Sequence, residues 1–204
     1  MTRATTIGIV DYGVGNHASV ARAFTALGYR CRVSRDTNLL RNCDALVLPG
    51  VGAFPVAMAA LQAHRLDDFV RQQAAHAQPI IGLCLGMQLL ADESLEHGTT
   101  AGLGLIPGRV VPLQGARWHI GWNSIRVTGQ QSLLQPSDGA AVYFNHGYTF
   151  QALGEFQACT SRLGETLVAG VARGNVVGLQ FHPEKSQSAG RLLLRNVVEG
   201  LLHA

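Results

Sequence analysis

The chain has 204 residues, 47% of them hydrophobic and 14% charged, with a formal net charge of +3. That is enough for one domain with a substantial core, but no apolar run is long enough to span a membrane. The small, dispersed charge excludes a nucleic-acid footprint. Four scattered cysteines (Cys31, Cys43, Cys84 and Cys159) show no C-x-x-C spacing and eight histidines show no paired spacing, which argues against a metal site or a disulfide scaffold. The first residues run directly into Ile7-Gly8-Ile9-Val10, without the basic segment and apolar run of a secretion signal, so a cytoplasmic location is expected.

In chain order, the pattern predicts a strand over residues 7–10 ending in Asp11, a helix over 16–27, and strands over 30–34 and 45–48, the last closed by Pro49-Gly50. Residues 55–77 read as mostly helical, broken near His64. A short apolar strand over 78–83, entered through Pro79, leads into helical spacing from Gly86 to Glu93. Shorter strands follow over 109–113, 124–127, 141–145, 157–161, 167–172 and 176–181, and a helix over 188–202 closes the chain. Residues 114–117 and 130–139 read as loops. The βαβα order predicts an α/β fold, a mostly parallel sheet flanked by helices, as a single domain over residues 1–204. Sites in such sheets lie at the carboxyl ends of strands, and Asp11, the Pro49-Gly50-Val51-Gly52 segment, Cys84 and His182 all follow predicted strands.

Two of those positions carry chemistry. In Gly82-Leu83-Cys84-Leu85-Gly86-Met87-Gln88 a cysteine sits where a strand turns abruptly into a helix, with glycine two residues to either side, the pattern of a nucleophile elbow. A helix start behind the sulfur favours thiolate, and the amide of Leu85 is placed to stabilise an oxyanion. By itself such a motif is as compatible with a buried structural cysteine. The balance is tipped 98 residues later (182 − 84) by Phe181-His182-Pro183-Glu184-Lys185-Ser186. Proline keeps His182 extended, residues i and i+2 of an extended chain share a face, and Glu184 can therefore orient the imidazole as the acid of a triad does. Gly50 and Gly52 leave a backbone N–H free to swing toward the sulfur.

The Cys and His-Pro-Glu motifs resemble those of the class I (triad) glutamine amidotransferase family. Asp11-Tyr12-Gly13-Val14-Gly15-Asn16, Pro49-Gly50-Val51-Gly52-Ala53-Phe54 and Gly121-Trp122-Asn123 narrow the resemblance to the glutaminase subunits of imidazole glycerol phosphate synthases, over nearly the whole chain. The resemblance implies Cys84, His182 and Glu184 as the catalytic set and the Leu85 and Gly52 amides as oxyanion donors. It implies Gly50, Val51, Gln88, Asn145, Gly147 and Tyr148 around bound glutamine, and Asp11, Tyr12, Asn16, Trp122, Asn123 and Lys185 at the interface with a HisF-type (β/α)₈ cyclase in a heterodimer. No cofactor and no metal are implied. Ammonia from glutamine would go to the cyclase, which makes imidazole glycerol phosphate and the purine precursor AICAR in histidine biosynthesis.

The chain departs from that family at two places. Asn145-His146-Gly147-Tyr148 is nearer the glutaminase part of carbamoyl phosphate synthetases, and Trp118 stands where proline commonly precedes His119. His146 reads as a pocket-wall residue and not as a base, since it lacks the Pro-Glu that follows His182. Lys185, the one lysine among 16 basic residues, reads either as an interface cation or as a solvated side chain, and Trp122 either as a partner anchor or as packed core. The competing readings are a glutaminase subunit of another amidotransferase, a stand-alone Cys-His-Glu γ-glutamyl hydrolase, and a catalytically dead binding subunit.

Overall fold

The computed structural model describes residues 4–128 and 133–203. The first half alternates strand and helix: β1 (Thr6–Val10), α1 (His17–Thr25), β2 (Arg30–Ser34), α2 (Thr37–Arg41), β3 (Ala45–Leu48), α3 (Phe54–Ala63), α4 (Leu66–Ala75), β4 (Ile80–Leu83) and the single turn α5 (Leu85–Gln88). The second half is built mainly of strands: β5 (Glu93–Ser94), β6 (Thr100–Ala101), β7 (Gly108–Pro112), β8 (His119–Val127), β9 (Ala141–His146), β10 (Tyr148–Ala152), β11 (Gln157–Leu163), β12 (Glu165–Arg173), β13 (Val176–Leu179) and then α6 (Gln187–Leu202).

Among the described residues nine strands form one sheet in the order β2-β1-β3-β4-β13-β12-β11-β8-β9. β2, β1, β3, β4 and β13 run parallel, and β12, β11, β8 and β9 extend them antiparallel. β10, β7, β5 and β6 form a second small sheet. The pleat sorts each central strand between two cores. Leu46 and Leu48 of β3 pack with α3 and α4 through Phe54, Met58, Leu61 and Phe69. Ala45 and Val47, from the same strand, face α1 and α6 through Val20, Phe24, Leu193, Leu194, Val197 and Val198. The α6 residues recur at the spacing of one helical face, so the helix that closes the chain is held by burial of that stripe.

Strands β2 and β3 match the sequence expectation residue for residue, and the break between α3 and α4 falls at His64 and Arg65, where Arg65 takes a left-handed conformation. Other elements differ. The helix expected from Gly86 to Glu93 ends at Gln88, because the carbonyls of Leu89, Leu90 and Ala91 accept from the amides of Leu103, Leu105, Ile106 and Gly104 instead of from the next turn. Glu93 consequently lies in β5. The strand expected over residues 124–127 begins at His119, which brings Trp122 and Asn123 into the sheet. The strand expected to reach Phe181 stops at Leu179. Of the loop expected over 130–139, residues 130–132 lie outside the described residues, and the rest contains a 3₁₀ turn at Gln135–Ser137. Helix α2 and strands β5, β6 and β10 carried no expectation. Each is short or belongs to the small second sheet.

Candidate active site

Cys84 follows β4 and adopts φ 54°, ψ −111°, outside the regions that a residue with a Cβ occupies without strain. The glycines around it explain how the chain tolerates the turn. A Cβ on Gly86 would lie 1.8 Å from the Leu48 carbonyl oxygen, and one on Gly82 would lie 2.6 Å from that of Gly86. The turn is therefore sealed against β3 by backbone contact. The Cys84 amide donates to the Leu179 carbonyl at 2.8 Å, which ties the elbow to β13.

β13 runs on into His182, which keeps an extended backbone at φ −103°, ψ 91°. Pro183–Lys185 then forms a 3₁₀ turn, so the i, i+2 approach is made by a tight turn and not by a continued strand. The His182 ring nitrogen Nδ1 pairs with Glu184 Oε1 at 2.8 Å, and both side chains are almost completely buried. The motif's serine has a visible job. Ser186 Oγ donates to the His182 carbonyl and accepts from the Tyr143 amide, while the His182 amide donates to the Tyr143 carbonyl, so the turn is clamped to β9. Burial alone would depress the His182 pKa. Side-chain hydrogen bonds to Cys84 and Glu184, reinforced by the charge on both, reverse that and push it up to about 10. Both partners therefore favour the protonated form of the ring.

The sulfur opens into a cavity of about 280 Å³, at the low end of ligand pockets and suited to an amino acid. Of the expected residues, Val51, Gly52, Leu85, Gln88, Asn145, Gly147 and Tyr148 line it together with Cys84 and His182. Gly50 does not. It is buried behind the wall, against the Leu85 side chain and the Tyr12 hydroxyl. The Cys84 thiol lies 3.8 Å from the Asn145 carbonyl, so β9 contributes a backbone oxygen at this point. Gln88 Nε2 donates to the Tyr148 carbonyl at 3.1 Å and to Gln180 Oε1 at 3.0 Å.

Three further lining residues were not singled out for glutamine. Trp118 is half-exposed on the rim with its ring against Gly147, and His146 forms part of the wall. Glu96 is buried, and one carboxylate oxygen accepts from the Phe54 amide at the start of α3 at 2.7 Å. A lone glutamate between Leu95 and His97 carries no local signal. Only the fold brings it to the cavity.

The residues expected at a partner interface divide. Trp122 is exposed and meets Tyr143 edge-on, and Lys185 is exposed with its ammonium 5.7 Å above the Tyr143 ring, so the three form one surface cluster. Asn123 is half-buried, donating to the Arg162 carbonyl at 2.8 Å and accepting from the Ser124 amide. Asp11 is half-buried, pairing with Arg35 at 3.2 Å, and Asn16 caps α1 through the Ser19 amide. Tyr12, expected at the interface, requires correction, because it is buried and presents no surface to a partner. It is 1% exposed, its hydroxyl donates to the Pro49 carbonyl, and it holds the Pro49-Gly50 strap in place.

Among the described residues no cluster of histidine, cysteine or acidic groups could hold a metal ion, and no helix is long and apolar enough to cross a membrane.

The family model for glutamine amidotransferase class-I matches residues 8–199. The chain is 40% identical over 195 residues to the imidazole glycerol phosphate synthase subunit HisH of Streptococcus gordonii, covering 94% of each. It is 42% identical over 206 residues to the HisH subunit of a Geobacillus species, covering 95% of this chain and 98% of that one. In solved structures, a glutamine amidotransferase superposes with a TM-score of 0.76 at 22% identity over 97% of this chain and 99% of its own. PurLQS from Thermotoga maritima superposes with a TM-score of 0.78 at 17% identity over 98% and 100%. At those identities the two structures speak for the fold alone. The chain belongs to the class-I glutamine amidotransferase family and, within it, to the HisH subunits.

Proposed function

We propose that this chain is the glutaminase subunit of an imidazole glycerol phosphate synthase, working as one domain over residues 1–204 in the cytoplasm and passing ammonia to a HisF-type cyclase in a heterodimer. The observation that carries the reading is the buried His182 held between the Cys84 sulfur and Glu184 at the mouth of an amino-acid-sized cavity. With the proton on His182, the Cys84 sulfur attacks the side-chain carboxamide carbon of glutamine. The oxygen takes the negative charge and is met by the amides of Leu85 and Gly52. The C–N bond breaks as His182 delivers its proton to the departing ammonia. His182, now neutral and oriented by Glu184, takes a proton from water, which adds to the thioester and releases glutamate and the sulfur.

Gln88, Asn145, Gly147, Tyr148 and Val51 form the walls around the substrate, and Glu96 takes its α-ammonium, since a buried carboxylate is the natural partner for that charge. Gly50 acts from behind the wall, where the absence of a side chain lets the strap that bears Gly52 pack close against Leu85 and the Tyr12 hydroxyl. Trp122 and Lys185 are the surface anchors for the cyclase, while Asp11, Asn16 and Asn123 shape its edge. The surface position of the Trp122–Tyr143–Lys185 cluster favours this reading over a stand-alone hydrolase. The test is glutamate release from glutamine by the chain with and without the cyclase and its nucleotide ligand, with Cys84→Ala as control. Strong activation by both, lost in the variant, is expected. Full activity without the cyclase refutes the gated-subunit reading in favour of a stand-alone hydrolase.

A further inference from the structure

A polar chain runs from the surface edge of β8 to the glutamine side of the cavity, through two histidines the mechanism does not use. Asn123 accepts from the Ser124 amide at 2.8 Å and donates to the Arg162 carbonyl at 2.8 Å. Those two backbone groups leave its amide a single orientation, with Nδ2 toward His119 Nε2 at 3.2 Å. His119 Nε2 is therefore the acceptor nitrogen of its ring and Nδ1 carries the proton, which meets His146 Nε2 at 3.0 Å. His146 in turn carries its proton on Nδ1, 2.8 Å from the Tyr148 carbonyl. A backbone carbonyl only accepts, so the far end demands the same assignment that the near end does. Both rings are buried, at 4% and 6% exposure. Burial pushes both below the ordinary histidine range, His146 to about 4, which keeps them neutral as the pattern requires.

The Tyr148 carbonyl that receives the His146 proton also receives Gln88 Nε2. With its other amide proton on Gln180 Oε1, Gln88 can present only an acceptor, Oε1, to the cavity. Were His146 to carry its proton on Nε2, a lone pair would face the Tyr148 carbonyl. Repulsion would turn that peptide away and take the anchor of Gln88 with it. We propose that His119 is a positioning residue: held as its Nδ1–H tautomer by Asn123, it sets the tautomer of His146 and so aims Gln88 at the donor groups of the substrate. This rests on the glutaminase reading of the cavity, since it assigns Gln88 a substrate to meet.

Two measurements on the full chain test it. Long-range proton–nitrogen spectra of the histidine rings at neutral pH are expected to show His119 and His146 neutral and protonated on Nδ1. An Nε2–H tautomer or a protonated ring at either position overturns the proposal, and this readout needs neither substrate nor variant. The second compares labelling of Cys84 by a glutamine-derived chloroketone with labelling by iodoacetamide, with the cyclase present, in wild type, His119→Phe and His119→Asn. Phenylalanine keeps the stack on Phe144 (ring centroids 4.2 Å apart) but removes both nitrogens. Asparagine puts an amide donor where Nδ1 stands. The expectation is about a tenfold fall in the chloroketone-to-iodoacetamide ratio for His119→Phe, the weight of one mispaired buried group, and recovery in His119→Asn. Equal ratios in all three proteins overturn the relay. A wild type that the chloroketone does not label refutes the glutamine reading instead, and the ring spectra then decide the relay by themselves.

Discussion

Replacing Cys84 by glycine and by alanine separates the strain of the elbow from its chemistry. Both variants lose the sulfur, so the loss of a buried thiol, 5% exposed, cancels between them. Alanine keeps a Cβ at φ 54°, ψ −111°, where holding a side-chain-bearing residue costs about 1–3 kcal/mol. Glycine relieves that strain but has a more flexible unfolded chain, a penalty of about 0.4–1 kcal/mol. Taking about 2 for the first and about 0.7 for the second leaves the glycine variant ahead by about 1 kcal/mol. For a chain of this length that is roughly 2–4 °C in melting temperature. Elsewhere the sign is opposite: Ala59→Gly, on the exposed side of α3, should lose about 0.5–1 kcal/mol. The assay is thermal and urea unfolding of the three variants in one buffer. A Cys84→Ala protein as stable as Cys84→Gly, or more so, would refute the claim that the elbow stores backbone strain.

Glu184→Gln removes the carboxylate charge that helps raise the His182 pKa. Glutamate release should fall about 10²-fold and its alkaline limb should move to lower pH; a limb that stays in place would show that Glu184 does not tune the imidazole. Glu96→Gln keeps an oxygen for the Phe54 amide but removes the charge proposed to meet the substrate ammonium. Its KM for glutamine should rise about tenfold or more while labelling of Cys84 by iodoacetamide stays unchanged, and an unaltered KM would remove Glu96 from the binding set. Stability should depend on pH at both ends. His146 stays neutral in the fold down to about 4 while the unfolded chain takes up its proton near 6.5, so its contribution is full above 6.5 and is lost as pH falls toward 4. His182, held at about 10, contributes fully below about 6.5 and loses that contribution as pH climbs toward 10. Melting curves across the range should be flattened at the acid end by His146→Asn and at the alkaline end by His182→Asn. Acid or alkaline limbs that the variants leave unchanged would disprove the assignment.

The elbow, the His182–Glu184 pair and the central strands were legible in the sequence because each depends on neighbours within a few residues. A Cβ is excluded at Gly82 by the turn's own backbone at Gly86 and Met87, Pro183 constrains His182, and the runs that became β2 and β3 satisfy their pattern locally, whereas at Gly86 the excluding atom is the Leu48 carbonyl that the fold brings in from β3. Asp36, which caps α2 through the Asn38 amide, was such a local signal too, but a five-residue helix has too few turns to show a periodicity. The rest was decided by where the fold carries distant segments. Glu96 reaches the cavity by bonding an amide 42 residues away, and the α5 helix stops after one turn because residues 102–106 claim its next carbonyls. Tyr12, placed at the partner interface by the family resemblance, is a buried strut once Pro49 closes over its hydroxyl. His119 and His146, 27 residues apart, become a directed pair because β8 and β9 register them opposite each other. The backbone rules that make a turn or a strand act over a few bonds and can be read along the chain. Burial and hydrogen-bond partnership at long range are properties of the packed layers, and they exist once the sheet has formed.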